Sequence, residues 1–213
     1  MSRRAIVTGA SRGVGAALLE ALRADGWEAI GTSTRGEGGL IPLDLTDPDL
    51  GPLREAAGER LNLLVANAGT FEDRHEDVAT GYPAEMWARQ LAVNVTGVFL
   101  TVQACLPALM AAEGKVMVIS SQMGSSEKAG GGGLIYRASK AAAANLARNL
   151  AAGLRGKVAV AAYHPGWVRT DMGGPSAAIS AEESAAGLLA RAAELGPGTS
   201  GGFFNWDGRP HPF

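Results

Sequence analysis

Short apolar runs alternate along the chain with longer stretches of helical period, and the two patterns point to different elements. "RAIVTG" (Arg4–Gly9), "EAIGTST" (Glu28–Thr34), "LIPLDL" (Leu40–Leu45), "LNLLVANAG" (Leu61–Gly69), "KVMVISS" (Lys115–Ser121), "KVAVAAYHPG" (Lys157–Gly166) and "GGFFNW" (Gly201–Trp206) are largely apolar and bounded by turn residues. Near-continuous apolar runs of this length fit strands buried on both faces. "VGAALLEALRADG" (Val14–Gly26) has helical spacing and a glycine stop. Helical stretches also cover Pro83–Ala112, Leu134–Ala147 and Ser180–Leu195, the last opening with Ser180 and Glu183 at capping-box spacing. Strands alternating with helices predict an α/β fold: one doubly wound parallel sheet of about seven strands, because parallel neighbours need crossovers. One crossover is irregular. Only Arg35–Gly39 separates the second and third strands, too little for a helix, so this connection is predicted to be non-helical.

Composition narrows the picture. The 213 residues are 46% hydrophobic and 19% charged, enough for one well-buried core, and residues 1–213 read as a single domain. A net charge of -2 without a basic face argues against nucleic acid as the main partner. No apolar run reads as membrane-spanning and no signal segment is visible, so neither membrane association nor export is expected. Cys105 is the only cysteine, which excludes an internal disulfide and fits a reduced cytoplasmic setting; its apolar surroundings predict a buried structural thiol. His75, His164 and His211 share no ligand spacing with cysteines or acids, so no metal site is expected.

The chemistry-bearing positions gather at the ends of the predicted strands. "TGASRGVG" (Thr8–Gly15) follows the first strand and opens a helix, the context in which glycines let helix amides face a pyrophosphate. No Gly-Lys-Ser/Thr follows, which argues against a nucleotide hydrolase of the P-loop type. "NAG" (Asn67, Ala68, Gly69) closes the fourth strand, Asn94 lies within the long helical stretch, "ISS" (Ile119–Ser121) closes the fifth strand, and "HPGWVRTDM" (His164–Met172) closes the sixth. In an open α/β sheet these carboxyl ends bound the ligand crevice. Tyr136 and Lys140 in "YRASK" lie four apart, hence on one face of a helix. An ammonium beside a phenol favours phenolate and prepares the pair for proton transfer.

TGxxxGxG, NAG, Asn, Ser, YxxxK and PGxVxT occur here in the order characteristic of the short-chain dehydrogenase/reductase family, which the chain resembles over essentially its whole length. "YRASKAA" and "HPGWVRTDMGGPSA" look nearest to the C-factor and sniffer-like carbonyl reductase branch. The resemblance implies a Rossmann-type fold and a nicotinamide-dependent oxidoreductase acting on a carbonyl or alcohol. Tyr136 would be the acid/base, Ser121 rather than its neighbour Ser120 the holder of the substrate oxygen, and Lys140 a second ligand of the nicotinamide ribose. Asn94 would act through a water that its backbone holds. The cofactor would rest on Gly9, Ser11, Arg12, Gly13, Val14 and Gly15, with Asn67, Ala68 and Gly69 at the sheet's centre. Asp44 and Leu45 would meet the adenine. Pro165, Gly166, Val168 and Thr170 would meet the carboxamide side.

The second strand ends in "TSTR" (Thr32–Arg35), without the acid that binds an unphosphorylated ribose. Arg12 and Arg35, helped by Ser33 and Thr34, suit a 2′-phosphate, so NADP(H) is expected over NAD(H). Trp167 and Met172 are candidates for the substrate side. The interval from Thr170 to Ser180 is too short for a helical lid, which predicts an open pocket for a small carbonyl or alcohol. The family's pattern of association implies a homodimer or homotetramer. Rival readings are a non-catalytic NADP-binding sensor and a developmental signalling protein of the C-factor kind.

Overall fold

The computed structural model describes residues 3–47 and 49–213. Seven parallel strands form one sheet: β1 (Arg4–Val7), β2 (Glu28–Ser33), β3 (Ile41–Pro42), β4 (Leu63–Ala66), β5 (Lys115–Ile119), β6 (Ala159–His164) and β7 (Phe203–Asn205), in the spatial order β3-β2-β1-β4-β5-β6-β7. The order reverses between β1 and β4, and a crevice opens there at the strands' carboxyl ends.

Alternation along each strand feeds two cores. Ile6, Leu64, Val116, Val118 and Val160 face one side, where they meet α2 (Gly51–Ala57), α4 (Gly97–Ala112) and α5 (Leu134–Gly153). Ala5, Val7, Val65, Met117 and Ala161 face the other and meet α1 (Gly13–Ala24) and α6 (Ala181–Glu194). Both faces are covered, which is why the strands read as continuous apolar runs. Ala143, Ala144 and Ala147 bring α5 close to the sheet, and that small-residue stripe seats the "YRASK" turn against β5. Cys105 lies in the first core, where burial pushes its thiol up to about 12, as expected for a structural residue. The Ser180–Glu183 capping box forms in both directions, at 3.1 and 2.9 Å.

Four features depart from the sequence reading or refine it. The β2–β3 crossover has no α-helix, as expected, but one tight turn at Glu37–Gly39 that needs positive φ at Gly36, Gly38 and Gly39. β3 keeps only two of its six expected residues. Helix α2 was not expected: at seven residues it is too short to display an apolar period, and Leu53, Ala56 and Ala57 become its buried side only through packing. The stretch Ala84–Ala112 is one helical rod made of α3 (Ala84–Leu91), a π-turn (Ala92–Thr96) and α4. The rod has 29 residues and contains an 18-residue window of mean hydropathy 1.8, so by length and composition it could cross a membrane, contrary to the sequence expectation. Its inner stripe (Val98, Val102, Cys105, Leu109) lies in the sheet's core, while Phe99 and Met110 face outward.

Candidate active site

The crevice is a cleft of about 1130 Å³ running from the β2 end of the sheet to the loop after β6. Its floor is the turn between β1 and α1. Gly9 and Gly13 have positive φ, and a Cβ on Gly15 would lie 2.3 Å from the Gly9 carbonyl oxygen. Only glycine fits there. The N-cap position of α1, Arg12, provides no side-chain cap, and the first turn of α1 carries no acid, so the helix amides remain available to an anion. The "NAG" segment locks this turn in place. Asn67 Nδ2 donates to the carbonyls of Thr8 and Gly9, and Thr8 Oγ1 accepts from the amides of Asn67 and Ala68. The Asn67 side chain therefore shapes the loop, although Asn67, Ala68 and Gly69 also form part of the cleft wall.

At the far end, Ser11, Arg12, Val14, Ser33, Thr34, Asp44 and Leu45 line the cleft, but their side chains are differently free. Ser33 Oγ accepts from the Gly36 amide at 2.9 Å and so holds the crossover turn. Asp44 accepts from the Thr46 amide and hydroxyl, which holds its carboxyl below the usual range. Arg35 is the clear correction. Its side chain is 82% exposed, lies 3.6 Å from Glu37 and takes no part in the cleft wall, because the short crossover turns it outward. Arg12 does face the cleft, and its guanidinium donates to Asp171 at 2.8 Å, across the mouth from the loop after β6.

At the near end the catalytic candidates are brought together. Tyr136 and Lys140 are buried in the first turns of α5, with the ammonium 5.6 Å from the phenol ring's centroid. Lys140 Nζ donates to the Ile119 carbonyl at 2.9 Å, and burial pulls its pKa down to about 8. Burial also pushes the Tyr136 phenol up to about 12, against smaller opposing effects of the Ser121 hydroxyl and the Arg74 guanidinium. Burial thus outweighs the expected pull of Lys140 toward phenolate. Desolvation outweighs the neighbouring charges, and the tyrosine holds its proton at neutral pH.

The two serines separate cleanly. Ser120 Oγ donates to the Lys140 carbonyl at 2.7 Å and ties β5 to α5. Ser121 Oγ accepts from the Met123 amide and stands against Tyr136, but it is Ser120 and not Ser121 that forms part of the cleft wall. Asn94 is fully buried in the π-turn. It exchanges two bonds of 2.8 Å with the Thr70 backbone and donates to Ser139 Oγ at 2.9 Å. A Cβ on Gly69 would lie 3.2 Å from both Asn94 Oδ1 and Lys140 Nζ, so the glycine keeps this corner open.

The loop after β6 closes the near end. Pro165 and Thr170 line the cleft; Gly166 and Val168 do not, contrary to expectation. Gly166 instead packs under Ile179 and Trp206, where any Cβ would collide, and Val168 is bridged to Ile179. That bridge uses the main chain of Trp167 and Arg169, not that of Val168. Met172 lies over Tyr136, its sulfur 3.6 Å from Oη, while Trp167 is half exposed. Phe71 stacks on the Tyr136 ring at 4.2 Å, and Arg74 lies over Phe71 and donates to the Met172 carbonyl. Phe71, Arg74 and Asp171 were not anticipated, since each has a partner 65 to 159 positions away and no local pattern marks them. His164 is a structural residue beside His211, its pKa pulled down to about 4, chiefly by burial.

A glycine-floored cleft at the switch point, with Ser121, Tyr136 and Lys140 converging at one end, is mirrored in known proteins. The profile of the short chain dehydrogenase family matches residues 53–179. The 3-oxoacyl-acyl-carrier-protein reductase of Escherichia coli is 33% identical over 207 residues, covering 88% of this chain and 80% of its own. The chain belongs to the short-chain dehydrogenase family. It is therefore an oxidoreductase. Further similarities are consistent. The C-signal of Myxococcus xanthus is 39% identical over 129 residues, 59% of this chain and 78% of its own. The NADPH-bound carbonyl reductase from chicken fatty liver superposes with a TM-score of 0.88 at 29% identity, covering 100% and 99% of the two chains. The Drosophila melanogaster carbonyl reductase Sniffer gives 0.88 at 25% identity over 100% of both.

Proposed function

We propose that this protein is an NADP(H)-dependent carbonyl reductase, in which Tyr136 passes a proton to the substrate oxygen. The observation that carries the reading is a buried phenol and a buried ammonium in the wall at one end of a cleft, with the Ser121 hydroxyl against the phenol, while the other end offers uncapped helix amides and Arg12. The residues present suit the cofactor: Gly15 lets α1 start tight against the Gly9 carbonyl with its amides toward the cleft, and Gly69 keeps a side chain away from Lys140 Nζ. Arg12 and the α1 amides suit the phosphates, Thr34 and Asp44 the adenosine side, and Lys140 and Thr170 the nicotinamide side. Bound NADPH supplies the hydride.

The chain's residues do the rest. A phenol at about 12 is protonated at neutral pH, so Tyr136 is ready to donate from Oη to a carbonyl oxygen. Ser121 holds the same oxygen and stabilises the charge that develops on it. Lys140, anchored on the Ile119 carbonyl, keeps a cation beside the phenol and stabilises the phenolate left after transfer. Met172, Trp167 and Phe71 give the substrate side an apolar character. NADPH oxidation with a panel of aldehydes and ketones tests this, with turnover above background expected. A panel that stays silent while NADPH binds would favour the signalling reading that the likeness to C-signal supports.

The exposed apolar stripe of α4, with Phe99 and Met110, supports a second copy as its cover and hence a homodimer or homotetramer. Sedimentation at micromolar concentration is expected to show at least a dimer.

A further inference from the structure

Asp73 is a carboxylate with no exposed surface, and among the described residues no cation forms a salt bridge with it. Its oxygens are used otherwise. They accept from the Ile135 amide at 2.7 Å, from the Tyr136 amide at 3.2 and 3.4 Å, and from Gln90 Nε2 at 2.9 Å. Gln90 is equally buried, and its Oε1 accepts from the Glu72 amide at 2.6 Å. Helix α5 cannot cap itself, because its N-cap residue is Gly133, in the left-handed region and without a side chain. The cap is supplied from the loop after β4, more than sixty positions earlier.

That loop touches the reacting end of α5 at every step. Thr70 is held by Asn94, Phe71 is stacked on the phenol ring with an interplanar angle of 18°, and Asp73 holds the Tyr136 main chain. A buried carboxylate is costly to desolvate, and one that took part only in packing would be replaceable by an apolar side chain. Here the carboxylate faces the positive end of a 20-residue helix and fixes the backbone from which the catalytic phenol projects.

We infer that Asp73, held by Gln90, is a positioning residue for the reduction: it clamps the first turn of α5 so that the Tyr136 hydroxyl meets the substrate oxygen. The inference rests on the reading of Tyr136 as proton donor. A displacement of about 1 Å in such a group costs on the order of a hundredfold in rate, so Asp73→Ala is expected to lower kcat roughly 30- to 100-fold. Neither Asp73 nor Gln90 belongs to the cleft wall, so NADPH affinity is expected to stay within about twofold of wild type.

The discriminating variants exchange the two polar groups. Asp73→Asn alone turns an amide NH₂ toward the Gln90 NH₂ and is expected to lose about tenfold in kcat. Adding Gln90→Glu restores an acceptor opposite that NH₂ and keeps the net charge, so the double variant is expected to return to within about threefold of wild type. The experiment measures kcat per NADPH-binding site, with NADPH titrated by fluorescence, for wild type, both single variants and the double. A merely structural role would lower melting temperature and the number of binding sites while leaving kcat per site unchanged. That result overturns the inference, as does a double variant no faster than Asp73→Asn. If Asp73→Ala does not fold, Gln90→Met, which leaves Asp73 and both amide bonds in place, is expected to cost roughly three- to tenfold in kcat, and an unchanged kcat overturns the inference. Wild-type protein silent toward every carbonyl would overturn the reading of the site and this inference with it. An active wild type with an unaffected Asp73→Ala overturns this inference alone.

Discussion

The two ends of the cleft are built on opposite plans. At the Tyr136 end the candidate groups are buried and tied to distant chain: Lys140 to Ile119, Asn94 to Thr70 and Ser139, Ser120 to the Lys140 carbonyl. At the Arg12 end, the proposed phosphate end, the arginines are exposed and each is held by one ion pair. Arg12 is 79% exposed in its pair with Asp171, and Arg35 points into solvent. Proton transfer depends on geometry to a fraction of an ångström, which buried and fully bonded side chains provide. Holding a phosphate needs charge within reach, and an exposed arginine supplies that without a rigid frame.

The contrast can be tested from its strong end to its weak one. On the proposed reading Tyr136→Phe removes the proton donor, and kcat is expected to fall roughly 10²- to 10⁴-fold with NADPH binding unchanged. Steady-state turnover beside cofactor titration checks it, and more than about a tenth of wild-type kcat remaining would break the assignment.

Lys140 tests the cost of burial. Its pKa of about 8 lies below the ordinary 10.5, so the folded chain binds that proton less tightly than the unfolded chain does. The stability it contributes is full above about 10.5 and is lost as pH falls through 8. Lys140→Met is therefore expected to be more stable than wild type at pH 7, by roughly 3 kcal/mol at most, while losing activity. Melting curves from pH 7 to 10.5 should show the gain shrinking as pH rises; a gain that grows instead would contradict the burial argument.

At the phosphate end, Arg12→Ala is expected to reduce the preference for NADPH over NADH by about ten- to a hundredfold in kcat/KM, mainly through KM. Arg35→Ala is expected to change it by less than about twofold, since its partner is Glu37 and not the cleft. Equal effects from the two would show that the crossover turn brings Arg35 inward when cofactor binds. Asp171→Ala is expected to act in the opposite direction to Arg12→Ala. An exposed ion pair is worth up to about 1 kcal/mol, so freeing Arg12 should tighten NADPH binding by about two- to fivefold, and less at high salt.

How much was legible follows the same division. The seven strands, the glycine turn, the capping box at Ser180 and the order of Asn94, Ser121, Tyr136 and Lys140 rest on local pattern, in which backbone geometry and side-chain period act within a few residues. α2 escaped because seven residues display no period, and the π-turn at Asn94 escaped because it has the composition of the helix around it. The sequence by itself determined which chemistry is present and where along the sheet it falls: glycines where a Cβ cannot fit, a phenol and an ammonium one turn apart, and no acid at the end of β2. Only the tertiary structure decided how those groups behave. Burial, more than the neighbouring ammonium, sets the Tyr136 proton, and Arg35 in the seven-residue crossover between β2 and β3 faces solvent while Arg12 faces the cleft. Asp73, from a loop with no motif, caps the catalytic helix. Each of these depends on desolvation or on contacts between residues far apart in the chain, and neither is a property of any short stretch of sequence.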